Sequence, residues 1–240
     1  AQDVIWSPKP RTLSQFFNME AGTIEHLRWG VLELILLIIS IGMHEFGHAW
    51  AADLRGDPLP RIQGRVTINP FAHTDPLGTI LIPAVMIFLS PGFGIIGWGK
   101  PVQISLPNPK TRRMDDILIT LAGPAMNILL CIIFALIGTI TDASHTSVAT
   151  ANLAQFLFLG ILLNASLVAF NLIPIPPLDG SRLALRLGIY SEEIFETLSR
   201  WGFFILLLVI NIPGFNYVIS FMISPIILLS VMIWPQFTPS

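Results

Sequence analysis

Two histidines and a glutamate stand in a stretch that is otherwise apolar enough for a lipid bilayer. His44, Glu45 and His48 occur in IGMHEFGHAW, directly after the run VLELILLIIS. Four residues turn an α-helix by about 400°, so both imidazoles lie on one face and can reach the same metal ion. Glu45 projects beside them, where it can take a proton from a water molecule that the metal activates. The pattern predicts a zinc site with a general base.

The alternative is that these residues are buried polar groups that neighbouring helices satisfy. An ionisable side chain near the centre of a bilayer costs about 3 kcal/mol or more, and such residues are usually functional. The second half of this apolar run contains no other ionisable residue. We therefore favour zinc binding over a purely structural role.

A catalytic zinc site usually has three protein ligands and one open position. Asp53 follows His48 by five residues, about 140° around the helix, and so faces away from the metal. Asp179 is a better candidate, because three prolines in NLIPIPPLDG, residues 171–180, prevent the preceding helix from continuing. Irregular backbone near membrane depth is tolerated only where it is buried in protein or lines a watery cavity. The alternative is that Asp179 caps the short helix that follows.

A third polar feature interrupts a later apolar segment. The stretch LAGPAMN places Gly123, Pro124 and Asn127 inside an expected membrane span. Small residues such as Gly123 allow close packing between helices in membranes. Packing does not explain Asn127, whose amide group needs a hydrogen-bond partner in lipid.

The composition indicates an integral membrane protein. Of the 240 residues, 53% are hydrophobic and only 12% are charged, and the mean hydropathy is +0.71. A soluble domain carries about 25% charged residues. The net charge of −2, without a basic tract, argues against nucleic acid as a partner. The one cysteine, Cys131, lies in an apolar segment and cannot form an intrachain disulfide.

Several segments are long enough to cross the hydrocarbon core, which takes about 17 to 25 residues. Four are clear candidates: 31–52, 117–140, 153–173 and 217–234. Two more are shorter or carry charges: 77–89 and 194–212. We therefore predict an all-α polytopic membrane protein with five to six transmembrane helices.

Smaller features complete the predicted fold. Residues 61–69, RIQGRVTIN, alternate and are rich in β-branched side chains, which predicts a small membrane-associated β element. Residues 1–28 are polar to amphipathic and are expected to lie at the membrane interface. Residues 29–240 are expected to form a single membrane domain, with a core over 31–182 and a C-terminal helical hairpin over 191–235.

The polar segments together resemble the site-2 protease family of intramembrane zinc metalloproteases. The matching stretches are HEFGH (44–48), GPAMN (123–127) and NLIPIPPLDG (171–180), in the order that the family shows. The stretches INPFAHTDPLGT and GWGKPV extend the likeness over residues 31–182. The chain resembles a minimal form of the family without appended soluble modules.

The resemblance implies an activity and a set of roles. His44, His48 and Asp179 would bind Zn²⁺, and Glu45 would be the catalytic base. The substrate would be a transmembrane protein, hydrolysed at a peptide bond within the lipid bilayer. Its helix must unwind locally before attack, and the edge of the predicted β element could bind the unwound chain as an added strand.

The resemblance also assigns Asn127 and Asn171 to the substrate-binding cleft. Either amide could donate a hydrogen bond to the carbonyl oxygen as it gains negative charge.

Charge distribution and ligand positions together predict a topology. Of the thirteen lysine and arginine residues, seven lie in 55–113 and three in 182–200, whereas 141–152 contains none. If the apolar segment after residue 76 crossed the membrane fully, the two histidines and Asp179 would lie toward opposite faces. Residues 77–98 are therefore expected to be re-entrant, which places the zinc site near the positively charged, cytoplasmic face of a multi-pass protein in the cell membrane.

Two other functions are alternatives. A zinc-binding transporter would need ionisable residues at several depths along a pathway, whereas here they cluster at one level. A catalytically inactive relative that binds membrane helices would have no need to keep Glu45 beside all three ligands. Hydrolysis is therefore the predicted activity.

Overall fold

The structure is a computed structural model that describes residues 13–89, 95–141 and 147–236, with side chains from residue 22 onward. Within these ranges the chain is mostly helical. Its α-helices are α1 (Leu13–Leu54), α2 (Leu59–Ile62), α3 (Ile82–Leu89), α4 (Arg112–Ile140), α5 (Val148–Asn171), α6 (Asp179–Leu187), α7 (Glu192–Ile210) and α8 (Phe215–Ile233). A 3₁₀ turn at Pro70–Ala72 and a π-helical turn at Pro76–Leu81 precede α3.

The four clear membrane spans predicted from the sequence are confirmed. The helices that are long and apolar enough to cross a membrane are Gly22–Leu54, Arg112–Ile140, Val148–Asn171 and Phe215–Ile233. The chain is therefore an all-α polytopic membrane protein. The helical stretch Pro76–Leu89 is apolar but shorter, and α7 begins with two glutamates in its first turn.

Helix α1 is a single helix of 42 residues, so its backbone continues through the expected boundary at residue 28. The location of residues 1–28 at the membrane interface stays a prediction, and residues 1–12 lie outside the described ranges. The helix ends before Gly56, whose φ of +82° is a left-handed conformation that favours glycine. Pro58 and Pro60 then start the single turn of α2.

Helix α4 is central to the bundle and packs against α1, α5, α6 and α8. Its close approach to α1 requires glycine, because a Cβ on Gly47 would lie 2.5 Å from the Ala122 carbonyl oxygen. The other side of α4 packs on α5, and the indole of Trp234 closes this interface over Gly138. The buried side chains of the interface are Cys131, Ala135, Ala154, Leu157, Ile161 and Ala165.

The prediction of a β element at residues 61–69 is wrong. The described residues include an isolated bridge but no strand, and residues 61–69 form the end of α2 followed by turns and bends. Gly64 has a φ of +68°, so the backbone reverses where the alternating pattern predicted an extended chain. The alternation of side chains in this segment therefore does not correspond to the two faces of a sheet.

Arg65 gives the physical reason for this local fold. The residue is 4% exposed, and its guanidinium donates hydrogen bonds to the backbone carbonyls of Ala72 and Lys100. A buried arginine needs such acceptors, since its charge and its five donors are costly to leave unpaired. These bonds join the loop after α1 to the chain that follows α3.

After α3 the chain returns to the point where the helix began. Trp98 donates its backbone N–H to the Gly78 carbonyl at 3.1 Å and accepts a hydrogen bond from Thr79 Oγ1 at 2.7 Å. Lys100 donates its N–H to the His73 carbonyl at 2.8 Å. The two ends of this apolar excursion therefore lie side by side.

Ion pairs join three helix ends at one end of the bundle. Arg55, just past the end of α1, donates from Nε to Asp115 Oδ1 at 2.6 Å. The neighbouring Asp116 accepts from Arg182 at 2.8 Å and from Arg186 at 2.5 Å. The C-terminal end of α1, the N-terminal end of α4 and helix α6 therefore meet there.

Asp57 fixes the extended chain that leads into α4. Its carboxylate accepts hydrogen bonds from the N–H groups of Leu59, Ser105 and Leu106 and from Ser105 Oγ, at 2.6 to 3.1 Å. Burial raises the pKa of the Asp57 carboxyl, but these hydrogen bonds lower it by more, so the pKa lies below its ordinary value.

We expect Asp57→Asn to lower the free energy of unfolding by about 1–3 kcal/mol, because the amide cannot accept all four hydrogen bonds and buried donors lose their partner. A carboxyl whose folded pKa is lowered stabilises the fold above about pH 4, and this contribution is lost as the pH falls through the folded pKa. The difference in melting temperature between wild type and variant should therefore be full at pH 7 and shrink below about pH 4.

The control is Asp53→Asn, which breaks an ion pair with the exposed Arg61 and should lower the free energy of unfolding far less, because solvent screens such a pair. Equal melting temperatures of wild type and Asp57→Asn at pH 7 would contradict the assigned role.

Candidate metal centre

Three predicted ligands come together between α1 and the start of α6. His44 Nε2 and His48 Nε2 lie 3.1 Å apart. Asp179 Oδ2 lies 3.1 Å from the first nitrogen and 3.2 Å from the second. These three atoms therefore form a nearly equilateral triangle, with both histidines buried and Asp179 half-buried.

The triangle has the size that a tetrahedral zinc ion requires. Bonds of about 2.0–2.2 Å to nitrogen and oxygen, at tetrahedral angles, separate ligand atoms by about 3.3 Å. Two imidazoles and one carboxylate are also a donor set that zinc uses in catalytic sites. Among the described residues, this is the group of histidine, cysteine and acidic side chains that could hold a metal ion.

A backbone carbonyl fixes the orientation of His48. The Nδ1 atom lies 2.7 Å from the carbonyl oxygen of Ile119 on α4. A carbonyl can only accept, so Nδ1 carries the proton and Nε2 presents its lone pair to the triangle. Pro124 lies inside α4 and lacks the N–H that would bond the carbonyl of Thr120, the neighbour of Ile119.

An amide network fixes His44 in the same way. Its Nδ1 lies 2.6 Å from Asn127 Oδ1. Asn127 Nδ2 donates to the Ser40 carbonyl at 3.1 Å and to Asn164 Oδ1 at 2.8 Å. Asn164 Nδ2 in turn donates to the Gly160 carbonyl and to Ser40 Oγ. The two carbonyls determine which way each amide points, so Asn127 Oδ1 must accept the proton of His44.

The space for the two imidazoles depends on Gly123. A Cβ at this position would lie 2.5 Å from His48 Cε1 and 2.8 Å from His44 Cε1. No side chain can therefore replace its hydrogen without displacing the ligands. Gly123 was predicted to allow close packing between helices, and in the structure it allows the two imidazoles to pack against α4.

Glu45 faces the extended chain before α4. Its Oε2 accepts a hydrogen bond from the backbone N–H of Val102 at 3.2 Å. A Cβ on Gly99 would lie 2.9 Å from Glu45 Cγ, so the chain passes close to the glutamate. Glu45 is half-buried and its carboxylate is held beside the two imidazoles without joining the triangle.

Asp179 is the first residue of α6, but its side chain does not cap that helix. The N-cap position belongs to Leu178, and it makes no capping hydrogen bond through a side chain. The Asp179 carboxylate points to the histidines instead. Burial raises the pKa of this carboxyl, but the adjacent imidazoles lower it by more, so the pKa lies below its ordinary value.

A cavity opens beside the triangle. Besides the three ligand candidates, its lining residues are Glu45, Pro101, Val102, Ile104, Asn171 and Arg182. Asn171, the last residue of α5, therefore lies where a substrate could reach it, with Nδ2 bonded to the Leu167 carbonyl at 2.9 Å. Asn127 is fully buried behind His44 and does not line the cavity.

Sequence reasoning missed four contributors to this site. Asn164 and Ser40 complete the amide network, Val102 binds the glutamate, and Arg182 lines the cavity. Asn164 carries a signal, since it is an amide in the middle of an apolar span. The roles of the other three depend on contacts between segments that are distant in sequence.

The fold and the site define a metallopeptidase embedded in a bundle of membrane helices. The family model of peptidase family M50 matches residues 32–144 and 136–209, which is most of the chain. The chain belongs to peptidase family M50, the site-2 protease family, and the resemblance found in the sequence is confirmed. The predicted enzyme class, a zinc metallopeptidase, is confirmed with it.

Two bacterial relatives cover most of the chain. A protein of Bacillus subtilis (strain 168), named zinc metalloprotease YwhC, is 35% identical over 192 residues, which are 78% of this chain and 83% of that protein. The protein named zinc metalloprotease Rip2 of Mycolicibacterium smegmatis is 33% identical over 201 residues, 82% of this chain and 74% of that protein. No solved structure matches the chain.

We expect Asn127→Ala to weaken zinc binding by about 10–100-fold, because it removes the acceptor that orients His44. The dissociation constant can be measured by competition with a chelator of known affinity. Asn211→Ala is the control, since Asn211 also donates from its amide to a backbone carbonyl, that of Leu207, but is exposed at the end of α7. An unchanged zinc affinity in Asn127→Ala would show that the amide network does not support the ligand.

Proposed function

We propose that the protein is an intramembrane zinc metalloendopeptidase that hydrolyses peptide bonds in the transmembrane helices of other proteins. The observation that carries the proposal is the triangle of His44, His48 and Asp179 beside Glu45. It lies at a cavity within a bundle of membrane-spanning helices. Family membership supports the peptidase activity.

Zinc bound by the three ligands would supply Lewis acidity, which polarises a carbonyl and makes a water molecule acidic near pH 7. The residues of the chain then orient the ligands and transfer the protons. The Nδ1–H groups of His44 and His48 stay engaged with Asn127 and Ile119, so both Nε2 lone pairs remain available. Asp179 would add a negative charge that compensates part of the charge of the ion.

Glu45 is proposed as the general base. It accepts a proton as the water oxygen forms a bond to the carbonyl carbon, and it gives that proton to the amide nitrogen as the carbon–nitrogen bond breaks. The N–H of Val102 holds one carboxylate oxygen at 3.2 Å and leaves the other for the water. Asn171, at the cavity, is proposed to contact the substrate backbone.

Access of water and an unwound substrate is supported by the extended chain before α4. A helical substrate keeps its carbonyls in hydrogen bonds, so it must unwind before attack. Pro101, Val102 and Ile104 line the cavity in a segment without regular secondary structure. Such backbone occurs at membrane depth only where protein buries it or water reaches it.

A re-entrant excursion over residues 77–98 is the proposed topology. The hydrogen bonds that join residues 98 and 100 to residues 73–79 support it, since both ends of the excursion then lie on one face. Ile96 also lies beside Met86, with its N–H 3.4 Å from the sulfur. The positive-inside rule supports a cytoplasmic location for this face, where the zinc site lies in the proposal.

We expect Glu45→Gln to lower cleavage by about 10²–10⁴-fold while the zinc content stays that of the wild type, because Glu45 is a base and not a ligand. Purified protein would be tested on a panel of single-span membrane proteins, with zinc measured by mass spectrometry. Glu33→Gln is a matched control, as Glu33 lies on the same helix outside the cavity.

If the Glu45→Gln variant cleaved substrate at the rate of the wild type, the proposed mechanism would be contradicted. Zinc bound in both proteins with cleavage by neither would favour a transport or binding function.

Cysteine labelling tests the topology in a Cys131→Ala background. We expect single cysteines at Phe71 and Asn108, both exposed, to react with a membrane-impermeant maleimide from the same face. A cysteine at the exposed Val148 should react from the opposite face. In whole cells, the Val148 position alone should then be labelled without permeabilisation. Labelling of Phe71 and Asn108 from opposite faces would exclude the re-entrant arrangement.

A further inference from the structure

Arg182 places a positive charge on the wall of the metal cavity. The residue follows Asp179 by three positions on α6, so the two side chains leave the same face of the helix with Cβ atoms about 5–6 Å apart. Its side chain is 37% exposed, and it is the one arginine or lysine among the lining residues. A cation here is one helical turn from a proposed zinc ligand.

Asp116 holds this arginine in place. Asp116 is 1% exposed, and its Oδ1 accepts a hydrogen bond from Arg182 Nη2 at 2.8 Å. A guanidinium has five N–H donors. Within the described part of the chain, Arg182 makes no other hydrogen bond through its side chain, so most of its donors are uncommitted.

The ion-pair cluster carries a surplus positive charge. Asp116 Oδ2 also accepts from Arg186 Nε at 2.5 Å, so one buried carboxylate faces two guanidinium groups. Arg186 is 24% exposed and does not line the cavity. The two arginines thus share a helix and a partner but differ in access to the site.

The asparagine donors near the triangle are fully or partly engaged in other hydrogen bonds. Both hydrogens of Asn127 Nδ2 are bonded to Ser40 and Asn164, and the residue is fully buried. Asn171 uses one Nδ2 hydrogen on the Leu167 carbonyl. A charged donor is about twice as strong as a neutral amide in such a bond.

We propose that Arg182 is a catalytic residue that donates a hydrogen bond to the scissile carbonyl oxygen as this oxygen gains negative charge. The inference rests on the proposed peptidase function. Electrostatic donors of this kind act mainly on the transition state, so their loss lowers kcat more than it raises KM. Asp116 is the positioning residue that keeps the guanidinium at the cavity.

The test compares Arg182→Ala with Arg186→Ala, since both remove one partner of Asp116. We expect Arg182→Ala to lower kcat on a cleaved single-span substrate by about 10²–10³-fold. Arg186→Ala should keep kcat within about threefold of the wild type, because Arg186 does not line the cavity and so cannot reach the scissile carbonyl oxygen. Zinc content and melting temperature should be alike in the two variants.

A binding measurement does not depend on the substrate. A phosphonamidate peptide carries an anionic oxygen where the carbonyl oxygen would be, and transition-state analogues report the interactions that arise at that stage. We expect Arg182→Ala to weaken its binding to the zinc-loaded protein by about 10²-fold, and Arg186→Ala to leave binding unchanged.

A double variant separates catalysis from structure. If Arg182→Ala acted only by leaving Asp116 underpaired, Arg182→Ala combined with Asp116→Asn would recover activity and analogue binding. This recovery, an equal loss in Arg186→Ala, or unchanged binding in Arg182→Ala would overturn the proposal. If Arg182→Ala alone fails to fold, activity and analogue binding are measured in the double variant, and both should stay low. Failure of the proposed peptidase function would be seen in a different experiment, as cleavage by the Glu45→Gln variant at the rate of the wild type.

Discussion

Three ligand atoms within 3.2 Å of one another, inside an apolar bundle, impose a constraint on every neighbouring helix. Each imidazole must present Nε2 to the metal, so each Nδ1–H needs an acceptor that is also buried. Helix α4 supplies both acceptors. Ile119 and Asn127 are eight residues apart with Gly123 midway, and these three positions share one face of the helix. An acceptor, a gap and a second acceptor thus face the two histidines.

The same constraint extends to α5 and α1 through amide groups. An asparagine in lipid is costly unless both ends of its amide are bonded, and a partly satisfied network would be worse than an apolar contact. Asn127, Asn164 and Ser40 satisfy one another and end on backbone carbonyls. The register of three helices is therefore set by polar groups, whereas the apolar interface around Cys131 only requires a matching shape.

Local periodicity was enough to predict the spans, the histidine pair and Glu45, because these depend on residues a few positions apart in one helix. Asp179 was predictable because the prolines before it exclude a helix. The prediction of a strand at 61–69 failed because the hydrogen-bond acceptors of Arg65 are carbonyls outside that segment, and the alternation of residues within it carries no information about them. Asn127 was recognised as polar in lipid, but its direction follows from Asn164, which is 37 residues away.

Hydrolysis within a membrane also needs backbone that is not helical, and such backbone must be paired before it can be tolerated. The extended chain before α4 meets this requirement with side chains rather than a sheet. Asp57 binds the N–H groups of Ser105 and Leu106, and Glu45 binds that of Val102. The proposed catalytic base thus belongs to the scaffold that keeps this chain beside the cavity. The hydrogen bond from Val102 therefore pairs one N–H group of the irregular segment and at the same time fixes the position of the proposed base.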